Sequence, residues 1–413
     1  MATLAAQSSP VPDHIPADLV VDFDAYHPIQ DGEDYQQAFA RMHRADVPDI
    51  FWSPYNGGHW ILRRREHIAE AFADYSRFTS RNGVSVDARD QANAGIRPRL
   101  SPIEDDPPAQ QTYRKLFASA FTALGVKTLE QKARALAIEL LEELTPQGRC
   151  DFVTQFAQHL PIRIFMAMLD LPEADRLRLL PLAAKQVQAS EDKQAAMAEL
   201  AQYIAGHVMT RRANPGDDLI SRIATAEIEG EPIAVEKAIG ICLLLLVGGL
   251  DTVATMMGQI MLFLANSPTH RQALVDDPKL IPAAIEELLR RFSLTNPARA
   301  VVQDIEFHGV RMRAGDMVML STPLGGIDPE TYADPLAVDF TRKSTTKTTF
   351  GAGPHVCPGS MLARAEIRVL LEEWLSRIPD FRVDPDDAPR ISTGVNITVD
   401  RLPLTWPAAG RAL

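Results

Sequence analysis

The sequence predicts a large, mainly α fold with a minor β portion, contained in one domain, residues 1–413. Three observations lead to this prediction. Apolar residues recur every three or four positions over most of Ala109 to Leu264. A stretch from about Val235 to Ala265 is apolar through its middle, as in a helix buried in a large core. Beyond Phe292 the period shortens to two in brief runs that are typical of strands.

The N-terminal third carries the first predicted elements. An extension of about residues 1–30, rich in Pro and Asp, is expected to wrap over the surface. A first β portion follows at about 51–64, and then a helix over Arg65 to Tyr75. Residues 82–108 have no sustained period and contain Gly, Pro and Asn, which is typical of a functional lid.

The remaining two thirds are predicted to be helical up to the long apolar stretch. Helical spacing is clearest over three ranges, Leu129–Leu144, Phe152–Leu169 and Met197–Val208. A second β portion is expected at about 300–322, and a last helix from near Gly359 to about Ile378.

Composition and charge exclude several classes of protein. The 42 Lys and Arg against 54 Asp and Glu give a net charge of -12, which argues against general nucleic-acid binding. Three scattered cysteines do not form a disulfide framework and suit a reducing cytoplasm. No signal peptide is recognised, and the strongly apolar run Ala238–Leu250 is shorter than the about 20 residues of a spanning helix. A soluble, cytoplasmic protein that does not bind membranes is therefore expected.

The most specific motif is Phe350-Gly351-Ala352-Gly353-Pro354-His355-Val356-Cys357-Pro358-Gly359. A helix that follows directly would lower the pKa of the Cys357 thiol, and a thiolate is a strong iron ligand. The glycines would let the backbone approach a flat macrocycle, and Phe350 could cover the sulfur. The alternative is a buried structural cysteine, which is how Cys150 and Cys242 are interpreted.

A second motif, Gly248-Gly249-Leu250-Asp251-Thr252, lies inside the long apolar helix. Glycines, an acid and an alcohol are unfavourable there. Thr252 could bond to the carbonyl of Gly248 and open the helix for dioxygen and water. An acid beside a hydroxyl can relay protons. The alternative is a kink whose Asp merely ties two helices together.

Together these motifs resemble the cytochrome P450 family, over nearly the whole chain and most closely the bacterial camphor hydroxylase subfamily. Gly248–Val253 and Glu286–Leu294 match it particularly well. The resemblance implies the cytochrome P450 fold and the activity of a haem-thiolate monooxygenase, with haem b between the long helix and the cysteine loop. Cys357 would be the axial iron ligand, with Phe350, Gly351 and Gly359 shaping the loop around the cofactor. Thr252 would hold oxygen and water, and Asp251 would carry protons inward.

The same resemblance assigns roles to three further groups of residues. The haem propionates would be bound by Arg114, Arg299 and His355. Glu287 and Arg290, which share one helix face, would join Arg342 in a structural brace. The substrate pocket would include Pro98, Leu244, Val247, Gly248, Thr295 and Asn396, with the 95–100 loop as part of the lid. No Tyr occurs between residues 82 and 108 to bind a ketone as in the camphor enzyme, so a different small terpenoid or norisoprenoid is expected as substrate.

Electrons are expected from a separate protein. The chain has no Gly-x-Gly-x-x-Gly nucleotide motif and no four-cysteine iron–sulfur ligation. The resemblance implies an iron–sulfur ferredoxin with its reductase, docking on a basic patch of Arg114, Lys115, Lys343, Lys347 and Arg364. A monomer that uses O2 and a small hydrophobic substrate is expected. A peroxide-driven peroxygenase and a non-catalytic haem-thiolate sensor stay open as alternatives. Peroxide-using enzymes of this fold commonly lack the Asp–Thr pair, and a sensor does not need it.

Overall fold

The computed structural model describes residues 8–29, 35–87, 98–187, 193–343 and 348–407. About 51% of the chain is helical, which confirms the mainly α class. In chain order the α-helices of these residues are α1 Tyr35–Ala40, α2 Arg65–Ala73, α3 Ala109–Lys115, α4 Ala123–Leu144, α5 His159–Met168, α6 Arg176–Val187, α7 Lys193–Ala213, α8 Leu219–Ala224, α9 Val235–Asn266, α10 Pro268–Asp276, α11 Ile281–Arg291, α12 Thr322–Gly326 and α13 Ser360–Arg377. Parts of three sequence-based predictions lie outside the described residues, namely the start and end of the N-terminal extension (1–7 and 30), the middle of the lid loop (88–97) and Lys347.

The strands are short and lie mainly at the two ends of the chain. They are β1 Ile50–Ser53, β2 His59–Leu62, β3 Phe78–Thr79, β4 Arg149–Asp151, β5 Glu227–Ile228, β6 Glu231–Pro232, β7 Ala298–Val301, β8 Ile305–Phe307, β9 Val310–Met312, β10 Met317–Leu320, β11 Arg382–Val383, β12 Arg390–Ser392, β13 Thr398–Arg401 and β14 Pro403–Thr405.

The largest sheet joins the two β portions predicted from the sequence. Its strand order is β1-β2-β10-β7-β3, with β10 parallel to β2 and the other pairs antiparallel. Every residue of β1, β2, β7 and β10 is buried. This burial on both faces agrees with the apolar residues that make up most of these strands, although Arg299 of β7 is also buried.

The long helix α9, hereafter the central helix, runs without interruption through the Gly-Gly-x-Asp-Thr motif. Helices α5, α6 and α7 and strand β13 pack against it. Among the described residues it is the one helix long and apolar enough to cross a membrane, and 65% of its most apolar window is buried inside the protein. Burial of this kind is what a core helix requires.

Two glycines of the central helix permit close packing. A Cβ at Gly249 would overlap the Phe165 ring of α5, and one at Gly240 would overlap the carbonyl oxygen of Arg99. A Cβ at Gly248, in contrast, would meet only Leu244 Cδ1, at 3.9 Å. The two glycines expected to make room for oxygen therefore have different roles. Gly249 allows close packing on α5, whereas Gly248 faces open space.

One predicted helix differs from the structure. The segment Phe152–Leu169 begins with a π-helical turn, Val153–Ala157, before α5 starts at His159. The wide turn stacks the Phe152 and Phe156 rings at 5.5 Å, and both rings contact Trp374 edge-on. The spacing of apolar residues does not distinguish this turn from an α-helix because the buried positions are the same.

Gly249→Ala should destabilise the protein, because the added methyl group overlaps a buried ring. We expect a loss of about 1–3 kcal/mol in the free energy of unfolding, measured by urea denaturation of the haem-loaded protein. Gly248→Ala is the matched control. There the methyl group has space, and the higher helix propensity of Ala should contribute about 0.5–1 kcal/mol of stability. Equal effects of the two substitutions would contradict this assignment.

Candidate active site

The cysteine loop is a turn whose backbone needs glycine at two positions. Gly351 and Gly353 have φ values of +72° and +66°, a region that other residues rarely adopt. The amide of Cys357 donates to the carbonyl of Phe350 at 2.9 Å and closes the loop. Helix α13 then begins at Ser360, with Gly359 as its N-cap. The sulfur thus lies just before a helix N-terminus, as the sequence predicted.

The thiol of Cys357 is harder to ionise than the sequence suggested. Burial raises its pKa, and a hydrogen bond from the Gly359 amide and the charges of Arg114 and Arg364 offset only part of this effect. The predicted net lowering by the helix terminus is therefore wrong for the protein without a metal, because desolvation outweighs the helix end. A bound metal ion supplies the positive charge that deprotonates such a thiol outright.

Gly353 packs closely against the end of helix α2. A Cβ there would lie 2.6 Å from the Ala73 backbone at the end of α2. The glycine thus lets the loop pack on that helix. Gln110 and Arg114 of α3 hold the other side, since both donate to the carbonyl of Pro354, at 2.7 and 3.3 Å.

Arg114, Arg299 and His355 lie together, as the sequence predicted. Burial, followed by the charges of Arg299 and Arg114 and opposed by Asp106, lowers the pKa of His355 to about 4. The imidazole is therefore neutral at pH 7 and acts as a hydrogen-bonding group, not as a cation. It lies 3.3 Å from the Ser80 hydroxyl.

Arg299 is 3% exposed, and burial lowers its pKa to about 10, so it stays charged. Its side chain donates to the carbonyl of Ala298 at 2.7 Å and lies over the Phe72 ring. In the described part of the chain, neither Arg299 nor Arg114 forms an ion pair, and the Asp106 carboxylate is used by Thr79, Ser80 and Arg81. A buried guanidinium without a carboxylate partner favours an external anion.

Glu287, Arg290 and Arg342 form the brace that the sequence predicted. Arg290 donates to both carboxylate oxygens of Glu287, at 2.8 and 2.7 Å, and both side chains are almost fully buried. Arg342 reaches the same carboxylate at 3.1 Å. The brace ties α11 to the chain that leads into the cysteine loop.

One face of the central helix is open in its middle. Leu244, Val247, Gly248, Asp251 and Thr252 are partly or fully exposed, whereas Leu245, Leu246 and Gly249 are buried. The spacing of three and four places the exposed residues on a single face. The Thr252 hydroxyl donates to the carbonyl of Gly248 at 3.1 Å, as predicted, although the helix is not interrupted there.

Asp251 is held by an amide. Asn396 Nδ2 donates to Asp251 Oδ2 at 3.3 Å. Although Asp251 is partly exposed on the open face, desolvation by the surrounding protein raises its pKa to about 7; the hydrogen bond from Asn396 and the neighbouring Thr255 hydroxyl lower it, and the charge of Asp400 raises it. An acid with a pKa near neutrality can both give up and regain a proton under physiological conditions.

The other predicted pocket residues have varied surroundings. The Thr295 hydroxyl lies 3.3 Å from that of Thr322, and its backbone bridges Asn396. Pro98 lies beside Gly240, one turn before Leu244 on the central helix. The close approach at Gly240 was missed, because a single glycine inside an apolar helix gives no sign of what passes beside it.

Comparison with known proteins gives the family. The family model described as Cytochrome P450 matches residues 151–403. This chain belongs to the cytochrome P450 family. A curated relative from Sinorhizobium fredii, named probable cytochrome P450 127A1, is 33% identical over 97% of this chain and 98% of its own length. Mycinamicin IV hydroxylase/epoxidase from Micromonospora griseorubida is 32% identical over 86% of this chain and 91% of its own.

Two solved structures agree in fold. CYP101J2 has a TM-score of 0.87 and 38% identity, and CYP101C1 has a TM-score of 0.87 and 37% identity. Each match covers 97% of this chain and 100% of the other, and both carry names of the camphor-hydroxylase-like subfamily. The chain is therefore a P450 monooxygenase with haem b as its cofactor.

The residues present fit a haem. Such a group needs a sulfur ligand, an open face of helix and partners for two propionates. The chain offers the Cys357 sulfur, the exposed face around Gly248, the buried guanidinium group of Arg299 and the half-buried one of Arg114, and among the described residues neither guanidinium has a carboxylate partner.

The predicted basic patch is only partly available in this P450. Lys115 and Lys343 are exposed. Arg364, in contrast, pairs with Glu286 and lies 4.6 Å over the Phe350 ring. Arg114 is half-buried and points to the cysteine loop. These two residues shape the loop more than they offer charge to a partner.

Glu366 is a buried acid that the sequence analysis missed. It lies on α13, is 0% exposed, and neither carboxyl oxygen has a hydrogen-bond partner in the described part of the chain. Burial raises its pKa to about 8. The helical pattern around it resembles an ordinary polar position, so composition and spacing do not mark it.

The pH dependence of stability tests the state of Glu366. Its pKa in the folded protein lies above the ordinary value, so its contribution to stability is full below about pH 4.5 and is lost as the pH rises toward 8. Glu366→Gln should therefore be more stable than the wild type at pH 8, by on the order of 2 kcal/mol, and nearly equal at pH 5.

The measurement is the free energy of unfolding in urea at both pH values. Glu372→Gln is the control, because Glu372 is on the same helix but pairs with Arg134 near the surface. A stability difference for Glu366→Gln that does not change with pH would show that this acid is ionised in the folded protein.

Proposed function

We propose that this P450 hydroxylates a small hydrophobic substrate, a terpenoid or norisoprenoid, using O2 and electrons from a separate iron–sulfur ferredoxin and its reductase. The observation that carries the proposal is the Asp251–Thr252 pair on the open face of the central helix, beside Gly248. Proton delivery is needed for reductive activation of O2. A peroxide-driven enzyme or a sensor has no need for it.

Cys357 is proposed to hold the haem iron through its sulfur, and the bound haem would supply the oxidising chemistry. Three features of the chain position the sulfur. They are the hydrogen bond from the Cys357 amide to the Phe350 carbonyl, the hydrogen bond from the Gly359 amide to the sulfur, and the Glu287 brace. Gly351 gives the loop its left-handed turn. The Phe350 ring packs against the guanidinium group of Arg364, which lies 4.6 Å from the centre of the ring.

Arg114, Arg299 and His355 are the proposed propionate partners. Arg299 is buried and charged without an ion pair in the described chain, which makes a carboxylate its natural complement. His355 is neutral and can donate one hydrogen bond. Arg114 also holds the carbonyl of Pro354, so it links the propionate site to the cysteine loop.

Proton delivery is assigned to Asp251 and Thr252. The carboxyl of Asp251, with a pKa of about 7, can hold a proton in the interior at physiological pH. The Thr252 hydroxyl donates to the Gly248 carbonyl, which leaves its oxygen lone pairs to accept from a neighbouring donor. Thr252 thus orients water and oxygen at the open face while Asp251 holds the proton.

The substrate class rests on the lining of the proposed pocket. Leu244, Val247 and Gly248 offer an apolar surface along the open face. Pro98, beside the central helix, supplies no donor, unlike the tyrosine of the camphor enzyme in the corresponding loop. Thr295 is the remaining polar group that could hold a carbonyl or hydroxyl of the substrate.

The ferredoxin is proposed to dock near the cysteine loop, where the side chains of Lys115 and Lys343 are exposed. An acidic partner would complement these charges. A cytoplasmic location, a monomeric state and a single-domain chain belong to the same proposal.

Loss of the Thr252 hydroxyl should uncouple the consumption of NADH from the formation of product. A panel of terpenoid and norisoprenoid ketones is first screened for the compound that most shifts the haem spectrum from low to high spin. With this compound, ferredoxin, reductase and NADH, Thr252→Ala should form about tenfold less product per NADH consumed than the wild type. Thr252→Ser, which keeps the hydroxyl, should retain most of the coupling.

Three outcomes would contradict the proposal. Unchanged coupling in Thr252→Ala would remove the role of the hydroxyl. Product formed with peroxide alone, and none with ferredoxin, would favour a peroxygenase. Reduction without product for any compound that shifts the spin state would favour a sensor.

A further inference from the structure

Asn396 was expected in the substrate pocket, but its side chain contacts the acid of the proposed proton relay. We propose that Asn396 is a positioning residue that holds the Asp251 carboxyl as an exchangeable acid, and that the β12–β13 hairpin behind it supplies the protons through Asp400. This inference rests on the proposed function and names the route by which its acid is reloaded.

The backbone around Asn396 is firmly held against the central helix. The amide of Ile397 donates to the carbonyl of Leu294 at 2.9 Å, and Asn396 bridges Thr295. Gln259 of the central helix donates to the carbonyl of Ile397 at 3.4 Å. Gly258 has no side chain, and Val399 of β13 packs there, 3.1 Å from where a Cβ would lie. Asn396 is therefore presented to Asp251 from a fixed position.

An amide partner leaves the charge of Asp251 adjustable. An Arg or Lys at this place would fix the carboxylate, because an opposite charge strongly favours the ionised form. In the described part of the chain no cation forms an ion pair with Asp251. Asp400 is the charged group that acts on it, and it disfavours ionisation. Arg178 and Lys185 of α6, which packs on the central helix, are not among the groups that act on Asp251.

Asp400 connects this site with the surface. Its side chain accepts from the Ser392 hydroxyl at 3.1 Å and lies 3.6 Å from Arg390, which is 67% exposed. Burial raises the Asp400 pKa, while Ser392 and Arg390 lower it. The carboxyl thus lies between solvent and the interior, where it can exchange protons with both.

Two buried hydroxyls belong to the elements that carry these carboxyls, Thr255 on the central helix and Thr398 on β13. Thr255 is 2% exposed and lies beside the Asp251 carboxyl. Thr398 shares a strand face with Asp400 because the two are two residues apart on β13. Neither hydroxyl has a hydrogen-bond partner of normal geometry in the described chain. Buried polar groups of this kind are usually satisfied by ordered water, which can carry protons between the two carboxyls.

The step is proton transfer alone. Asp251 gives its proton to the open face at Thr252 and regains one from the Asp400 side, so it ends each cycle as it began. No electron moves through the hairpin.

The test compares the pH profile of coupled product formation in three proteins. Asn396→Leu removes a hydrogen bond that favours the carboxylate, so the alkaline limb should move to higher pH by about 0.5–1 unit. Asp400→Asn removes a like charge, so the limb should move to lower pH by about 0.5–1 unit. Because it also removes the proposed proton source, it should lower coupled product formation over the whole pH range. Opposite shifts are not expected from general damage to the fold.

Two control variants distinguish the role of the Asn396 amide from general damage to the hairpin. Asn396→Gln keeps the amide and should restore part of the wild-type profile. Asp387→Asn breaks an ion pair with Arg401 on the same hairpin and should leave the pH profile in place. Haem content and the dissociation constant for the compound, measured by spin-state titration, should stay within about twofold of the wild type in Asn396→Leu, because no substrate contact is removed.

The outcomes are distinct for the two proposals. This inference would be overturned if Asn396→Leu left the pH profile unchanged, or if its only effect were weaker substrate binding. Asn396 would then be assigned to the substrate pocket, as first expected. The proposed function would still stand if Asp251→Asn then abolished coupled product formation. If Asp251→Asn were also without effect, the proton role of Asp251 itself would fail.

Discussion

The position of the Cys357 sulfur is the constraint on which the rest of the site depends. Desolvation by the surrounding protein raises the pKa of this half-buried thiol, so its surroundings alone do not favour the thiolate. The loop is instead preformed for a metal ion, with two left-handed glycines, the Gly359 amide and the Glu287 brace fixing where the sulfur lies. The positive charge of an iron held by Cys357 would favour the thiolate form of this residue.

The central helix lies in an apolar core but must expose polar groups at the site. It does so on one face, where Gly248 leaves space and Asp251 and Thr252 follow one turn later. Its other faces remain closely packed, as the contact of Gly249 with Phe165 shows. Burial then gives Asp251 the pKa of a working acid, so the core supplies both the rigidity and the electrostatics of the site.

Much of this site could be predicted from the sequence, because its strongest constraints are local. The cysteine loop, the Asp251–Thr252 pair and the Glu287–Arg290 spacing are all read from neighbouring positions. Features that depend on distant partners were missed or misread. Asn396 gives no sign that it faces Asp251, Glu366 resembles a surface acid, and Gly353 owes its role to α2, some 280 positions earlier in the chain. The pKa of Cys357 was misjudged because burial cannot be read from a motif.

The measurement that tests the central claim most directly is the carbon monoxide difference spectrum of the reduced, haem-loaded protein, compared with that of Cys357→Ser. Thiolate ligation by Cys357 predicts a Soret band near about 450 nm in the wild type and its loss in the variant. A wild-type band near about 420 nm would mean a neutral thiol or another ligand. A band near about 450 nm that survived in Cys357→Ser would contradict the assignment of the ligand.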